Sequence, residues 1–196
     1  SEVAPIDVVL VLDVSASMGD EGKIDNAKVA GRAFLDAMEA DSRVGLVKFN
    51  QDAGVAVDLA FDLDRVRTAL DVQRTDGKTN VSQAIDVARA HIDAAARPNI
   101  ERAMIVLTDG RNTVPADAIP VAAQRAKDAG ITVVTVCAGG KCDADLLPAA
   151  SSPKFYFNVP DPADLVALYK TLATELQLNA LVTLTVSDMV PSNMRY

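Results

Sequence analysis

The chain has 196 residues, enough for one sizeable α/β domain and at most a fragment of a second. It is 49% hydrophobic and 23% charged, which excludes wholesale disorder. Its 27 acidic and 19 basic residues give a formal charge of -8, which disfavours phosphate backbones and anionic lipid heads, so no nucleic-acid partner is expected.

The first strong segment is Ile6-Asp7-Val8-Val9-Leu10-Val11-Leu12-Asp13. It is short, β-branched and almost wholly apolar, as a strand buried on both faces of a parallel sheet must be. A Ser/Gly-rich loop follows from Val14 to Gly22. In the next stretch Ile24, Ala27, Ala30, Gly31, Phe34, Leu35 and Met38 recur at spacings of three and four, which predicts a helix over about residues 23–40. Val44–Phe49 and Val55–Leu59 read as strands, and the turn residues Asn50-Gln51-Asp52 between them predict a hairpin, with one strand antiparallel to the rest.

Asp64–Val72 reads as a short helix, Arg74–Asn80 as a polar loop, and Val81–Ala96 as a helix with Val81, Ile85, Ala88, Ile92 and Ala95 facing inward. His91 is then expected in solvent, without a chemical role. Ala103–Thr108 is another buried strand, ending at Asp109-Gly110. A helix over Ala116–Ala129 stops at Gly130, a usual cap. Ile131–Val136 and Phe155–Phe157 read as strands, Asp143–Ala150 as a short helix, and Pro162–Leu178 as the last helix.

Alternating strands and helices imply a three-layer α/β fold with a mostly parallel sheet. Val182–Ser187 differs from the earlier strands: apolar and polar residues alternate with period two, as in a half-exposed strand. Residues 179–196 are therefore read apart from residues 1–178, as a C-terminal strand extension or the start of a β-rich module. No apolar run approaches the roughly 18 residues that span a bilayer, so no direct membrane insertion is expected.

Three loops follow or adjoin the C-terminal ends of buried strands, where open α/β sheets bind ligands. They are Asp13-Val14-Ser15-Ala16-Ser17, Gly77-Lys78-Thr79-Asn80 and Thr108-Asp109-Gly110. In a partly extended chain, side chains two apart project to the same side, so Asp13, Ser15 and Ser17 can converge. Carboxylate and hydroxyl oxygens are hard ligands suited to a divalent cation: Mg²⁺, Mn²⁺ or Ca²⁺. Taken singly, such residues also serve as helix caps and turn formers.

With these residues in place, the sequence resembles the von Willebrand factor type A domains, whose Asp-x-Ser-x-Ser motif is met by Asp13, Ser15 and Ser17. Thr79 and Asp109 stand at that family's remaining two positions, and the resemblance runs in order and spacing over about residues 5–178. It implies a Rossmann-like fold with a mostly parallel six-stranded sheet, one antiparallel edge strand and helices on both faces. It also implies a metal-ion-dependent adhesion site at Asp13, Ser15, Ser17, Thr79 and Asp109, in which a divalent cation, Mg²⁺ first, binds an Asp or Glu carboxylate of a protein partner. Lys78 departs from the family pattern, where a small residue is common.

An isolated domain of this kind is expected to be monomeric and not an enzyme. The enzyme alternative is a metal-assisted hydrolase or phosphoryl-transfer protein, since Asp13 at a strand end would suit a nucleophilic aspartate. However, Ser15 stands where a second aspartate would be needed, no histidine lies near, and no phosphate-binding or nucleophile-elbow motif is present. A structural or assembly role is the other open reading.

Cys137 ends a strand, and Ala138-Gly139-Gly140-Lys141 is flexible enough to return Cys142 to it. A disulfide is the expectation, with two separate thiols as the alternative, and a bridge would imply an oxidising compartment. Leu184–Tyr196 resembles the opening strand of β-sandwich modules in bacterial surface proteins. A secreted or cell-surface location is therefore expected.

Overall fold

The computed structural model describes residues 3–71 and 74–189, with side chains through residue 186. Its elements are β1 (Ile6–Asp13), α1 (Lys23–Asp36), β2 (Arg43–Phe49), β3 (Ala53–Ala60), α2 (Leu63–Asp71), α3 (Val81–Ala94), β4 (Glu101–Thr108), α4 (Ile119–Asp128), β5 (Ile131–Ala138), α5 (Leu146–Ala149), β6 (Tyr156–Val159) and α6 (Leu165–Met189). The strands form one sheet in the order β3-β2-β1-β4-β5-β6. All neighbours pair in parallel except β2 and β3, the expected hairpin, so β3 is an antiparallel edge.

Every residue of β1 is buried, because β1 lies mid-sheet and helices cover both faces. Alternate side chains serve opposite cores. Val8, Leu10 and Leu12 pack with Phe34 of α1, Leu70 of α2 and Tyr169 of α6. Val9 and Val11 pack with Ile85 and Ile92 of α3 and with Ile119 and Ala122 of α4. This is the Rossmann-like, three-layer architecture that the resemblance implied.

Several boundaries differ from expectation: α1 ends at Asp36 rather than near residue 40, α3 ends at Ala94 rather than Ala96, α5 is confined to Leu146–Ala149, and the last helix starts at Leu165 after a 3₁₀ turn over Pro162–Asp164. α4 begins at Ile119 rather than Ala116, with Pro120 in its first turn. Phe155 belongs to a 3₁₀ turn, so the last strand starts at Tyr156. The helix expected over residues 64–72 runs Leu63–Asp71, and Val72 lies outside the described residues.

The largest correction concerns Val182–Ser187, which is helix and not strand: α6 continues through it. Extending an existing helix requires no new nucleus, so β-branched residues can be added at small cost. Thr183 and Thr185 turn their hydroxyls back to the carbonyls of Asn179 and Leu181 at 3.1 and 2.9 Å. Of the turn expected over Asp188–Asn193, Asp188 and Met189 are helical and the rest lies outside the described residues. Among the described residues no helix is long and apolar enough to cross a membrane.

Candidate metal centre

The strand order turns outward in both directions from the β1–β4 pair. The loops leaving these two strands therefore diverge and open a crevice at their C-terminal ends. Asp13 is the last residue of β1, and Asp109 directly follows β4. Topology alone thus brings together two carboxylates that are far apart in sequence.

Asp13 is fully buried. Its Oδ1 accepts from the Ser15 backbone N–H at 2.8 Å, and its Oδ2 from the Thr108 hydroxyl at 2.6 Å. Burial pushes its pKa up to about 6, against the opposing hydrogen bonds of Ser15 and Thr108, and the Asp109 charge adds to the rise. Ser15 Oγ and Ser17 Oγ stand 3.5 Å apart, so the two hydroxyls expected to converge do so. Ser17 Oγ donates to Asp109 Oδ1 at 2.8 Å, closing the gap between the first and third loops.

Thr79 is also buried. Its backbone N–H donates to Thr113 Oγ1 at 2.8 Å, and its carbonyl accepts from the Thr113 N–H at 2.9 Å. A methyl group placed on Gly110 would lie 3.6 Å from Thr79 Oγ1, so the Thr79 hydroxyl borders the turn after Asp109. The loop before α3 is tied to the first loop as well: Ala16 N–H donates to Gly77 O at 3.2 Å and Asp76 N–H to Val14 O at 3.0 Å. Asn80 caps α3 by accepting from Gln83 N–H at 3.1 Å.

Thus the structure gathers Asp13, Ser15, Ser17 and Asp109 into one hydrogen-bonded set, with Thr79 beside it. The donors are two carboxylates and three hydroxyls, a hard-oxygen set that fits a divalent cation such as Mg²⁺ or Mn²⁺. No group of three or more His, Cys, Asp or Glu side chains competes with it among the described residues.

Two participants escape a reading by motif. Thr108 is one, although a polar residue closing the apolar run Ala103–Leu107 is a visible signal. Lys23 is the other: its Nζ lies 2.8 Å from Asp109 Oδ2 and 3.4 Å from the Ser17 carbonyl. Burial alone would pull the Lys23 pKa down, but the bond to Asp109 outweighs it and the net shift is upward.

Other expectations resolve as follows. Cys137 and Cys142 form a disulfide, and Cys142 Sγ lies 3.4 Å from the Thr108 carbonyl, which places the bridge behind the centre. Lys78 is exposed, and its backbone N–H donates to Gln51 Oε1 at 2.9 Å. His91 is not in open solvent as expected. It is half-buried, its Nε2 accepts the Leu59 backbone N–H at 3.0 Å, and its Nδ1 lies 3.9 Å from Asp58 Oδ1.

A family model described as the von Willebrand factor type A domain matches residues 7–171. Among curated relatives, von Willebrand factor A domain-containing protein 2 of Xenopus laevis is 28% identical over 171 residues, covering 81% of this chain and 21% of that protein. Matrilin-4 of Homo sapiens is 32% identical over 167 residues, covering 76% of this chain and 25% of that protein. The chain thus spans less than half the length of the curated relatives it matches. Among solved structures, proximal thread matrix protein 1 from the mussel byssus, with a zinc occupied adhesion-site motif, superposes with a TM-score of 0.79 at 19% identity, covering 87% of this chain and 48% of that one. The pilus adhesin of Lactobacillus rhamnosus GG superposes with a TM-score of 0.79 at 18% identity, covering 91% of this chain and 31% of that one. At such identities the superpositions speak for the fold.

Proposed function

The chain belongs to the von Willebrand factor type A domain family, and on that premise we propose that it is a non-enzymatic, cation-dependent protein-binding module. The observation that carries this reading is the Ser17–Asp109 hydrogen bond of 2.8 Å. By giving its proton to Asp109, Ser17 keeps its lone pairs for a cation, and Ser15 Oγ stands beside it. Asp13, fixed by Ser15 and Thr108, supplies negative charge from below, and Thr79 supplies the third hydroxyl.

Asp13, Ser15, Ser17, Thr79 and Asp109 would hold the divalent cation, with Mg²⁺ as the first candidate and Mn²⁺ or Ca²⁺ as alternatives that the same hard-oxygen set suits. When bound, such a cation supplies an electrophilic centre for an Asp or Glu carboxylate of the partner. Beside the centre, Asn80, Gln83, Pro115 and Asp117 line an open groove of about 420 Å³, which gives the flanking residues of a partner a place to lie. The formal charge of -8 opposes long-range attraction of an acidic partner, so recognition is short-ranged and weakly salt-dependent. A secreted or surface location, in line with the disulfide, and a monomeric state belong to the same proposal.

Calorimetry with Mg²⁺ tests the centre. Asp13→Ala and Thr79→Ala should each abolish binding while unfolding cooperatively, and unchanged affinity in both would refute the proposal. A pull-down with and without EDTA, with Asp109→Ala as control, tests the adhesive role. A partner retained under all conditions would favour a cation-independent assembly role.

A further inference from the structure

Lys23 opens α1, a position where exposed helix N–H groups disfavour a cation. The sequence places it there nonetheless, and its side chain is only 13% exposed. It turns inward, against an Asp109 side chain that is 2% exposed. A Cβ on Gly139 would stand 3.1 Å from Lys23 Cε, and Gly139 has φ +88°, so the loop of the Cys137–Cys142 bridge is shaped to leave the lysine stem room. Both oxygens of Asp109 are committed: Oδ1 to the Ser17 hydroxyl and Oδ2 to the Lys23 ammonium.

We propose that Lys23 sets the charge of the cation centre, weakening its hold on the cation and leaving the loaded centre net positive, which favours a carboxylate-bearing partner. This rests on the cation-site reading above. With Asp13 and Asp109 ionised, these two buried acids and Lys23 carry one net negative charge; Glu21, 3.9 Å from Lys23 Nζ, has a side chain 74% exposed, so solvent screens it and it counts little in this balance. A divalent cation brings the centre to one net positive charge. Without Lys23 the loaded centre is neutral and has less to offer a carboxylate. Coulomb attraction at contact distance in a partly buried site is strong enough for one charge to decide between these cases. Lys23 is thus a specificity-determining residue that acts through Asp109.

The test uses the whole chain and Mn²⁺ as probe. Lys23→Met should tighten Mn²⁺ binding in calorimetry by about tenfold, and Lys23→Arg should stay within about threefold of the wild type. With Mn²⁺ saturating, the wild type should broaden the methyl resonance of added acetate more than Lys23→Met does. Should Lys23→Met not fold, Lys23→Gln removes the charge while keeping a donor for Asp109. Equal or weaker Mn²⁺ binding by the folded neutral variant, or equal broadening of acetate, overturns the proposal. If the wild type binds no Mn²⁺, or Asp13→Ala binds it as tightly, the cation-site reading fails first.

Discussion

The Thr108 hydroxyl donates a 2.6 Å hydrogen bond to Asp13 Oδ2 across the β1–β4 junction, and both residues are fully buried. The strand that leads to one acid of the centre therefore also holds the other. Thr108→Val keeps the shape but leaves a buried carboxylate oxygen without its donor. It should cost about 1–3 kcal/mol in denaturant unfolding and weaken Mg²⁺ binding, because Asp13 is no longer fixed. Wild-type values for both quantities would show that Thr108 merely fills space.

Asp13 also governs the response to pH. Its folded pKa of about 6 lies above its ordinary 3.8. Between those values the folded state holds more protons than the unfolded one, so this group's contribution to stability falls as pH rises through the window and is level above it. Asp13→Asn should remove that slope from thermal melts taken in EDTA. Mg²⁺ needs the ionised carboxylate, so the rise in Tm on adding Mg²⁺ should be larger at pH 7.5 than at pH 5. An equal rise at both would mean that Asp13 is not where the cation and the proton compete.

The opposite end of β1 carries a purely structural counterpart. Asp7, 1% exposed, receives bidentate bonds from Arg43 (3.0 and 2.6 Å) and Arg97 (3.2 and 2.6 Å). The arginines reach on to the carbonyls of Ala95 and Asp41, and Arg97 lies over the Phe61 ring. Burial works to raise the Asp7 pKa, but the two guanidinium groups outweigh it and hold it below its ordinary value. The stabilisation is thus present above that value and is lost as pH falls through the depressed one. Asp7→Ala strands two partly buried cations and should cost about 3–5 kcal/mol. Mg²⁺ affinity should stay unchanged, because Asp7 and Asp13 lie about 20 Å apart along the strand. A loss of Mg²⁺ binding in a folded Asp7→Ala variant would contradict this division of roles.

The contrast between the two ends of β1 shows what a sequence reveals. The strand itself, and the placing of Asp13, Ser15 and Ser17 after it, are legible because apolar runs and i, i+2 spacing are local properties. Asp7 is not, since a carboxylate at a strand start looks solvated until Arg43 and Arg97 arrive from 36 and 90 residues away. Lys23 is hidden for the same reason: its partner Asp109 is 86 residues distant. Val182–Ser187 misleads in the other direction. Its period-two pattern is a true local signal, overridden by the helix already formed ahead of it. Long-range pairing and helix continuation are tertiary facts, and neither leaves a mark in a short window of residues.

The Cys137–Cys142 bridge permits a last prediction that separates stability from function. The cysteines are five positions apart, so the closed loop is short and its removal should cost only about 2 kcal/mol by the chain-entropy estimate. Cys137→Ala/Cys142→Ala should therefore remain folded, with a lower denaturant midpoint and an unchanged slope. Its removal should nonetheless reach the centre, because the loop holds Gly139 against the Lys23 stem and Cys142 against the Thr108 carbonyl. With that support loosened, Lys23 is held less firmly on Asp109, and Mn²⁺ binding should tighten in the direction expected for Lys23→Met. In the Lys23→Met background the double alanine variant should change Mn²⁺ affinity little. Independent, additive effects of the two changes would show that the disulfide loop braces the sheet edge alone and has no hold on the lysine.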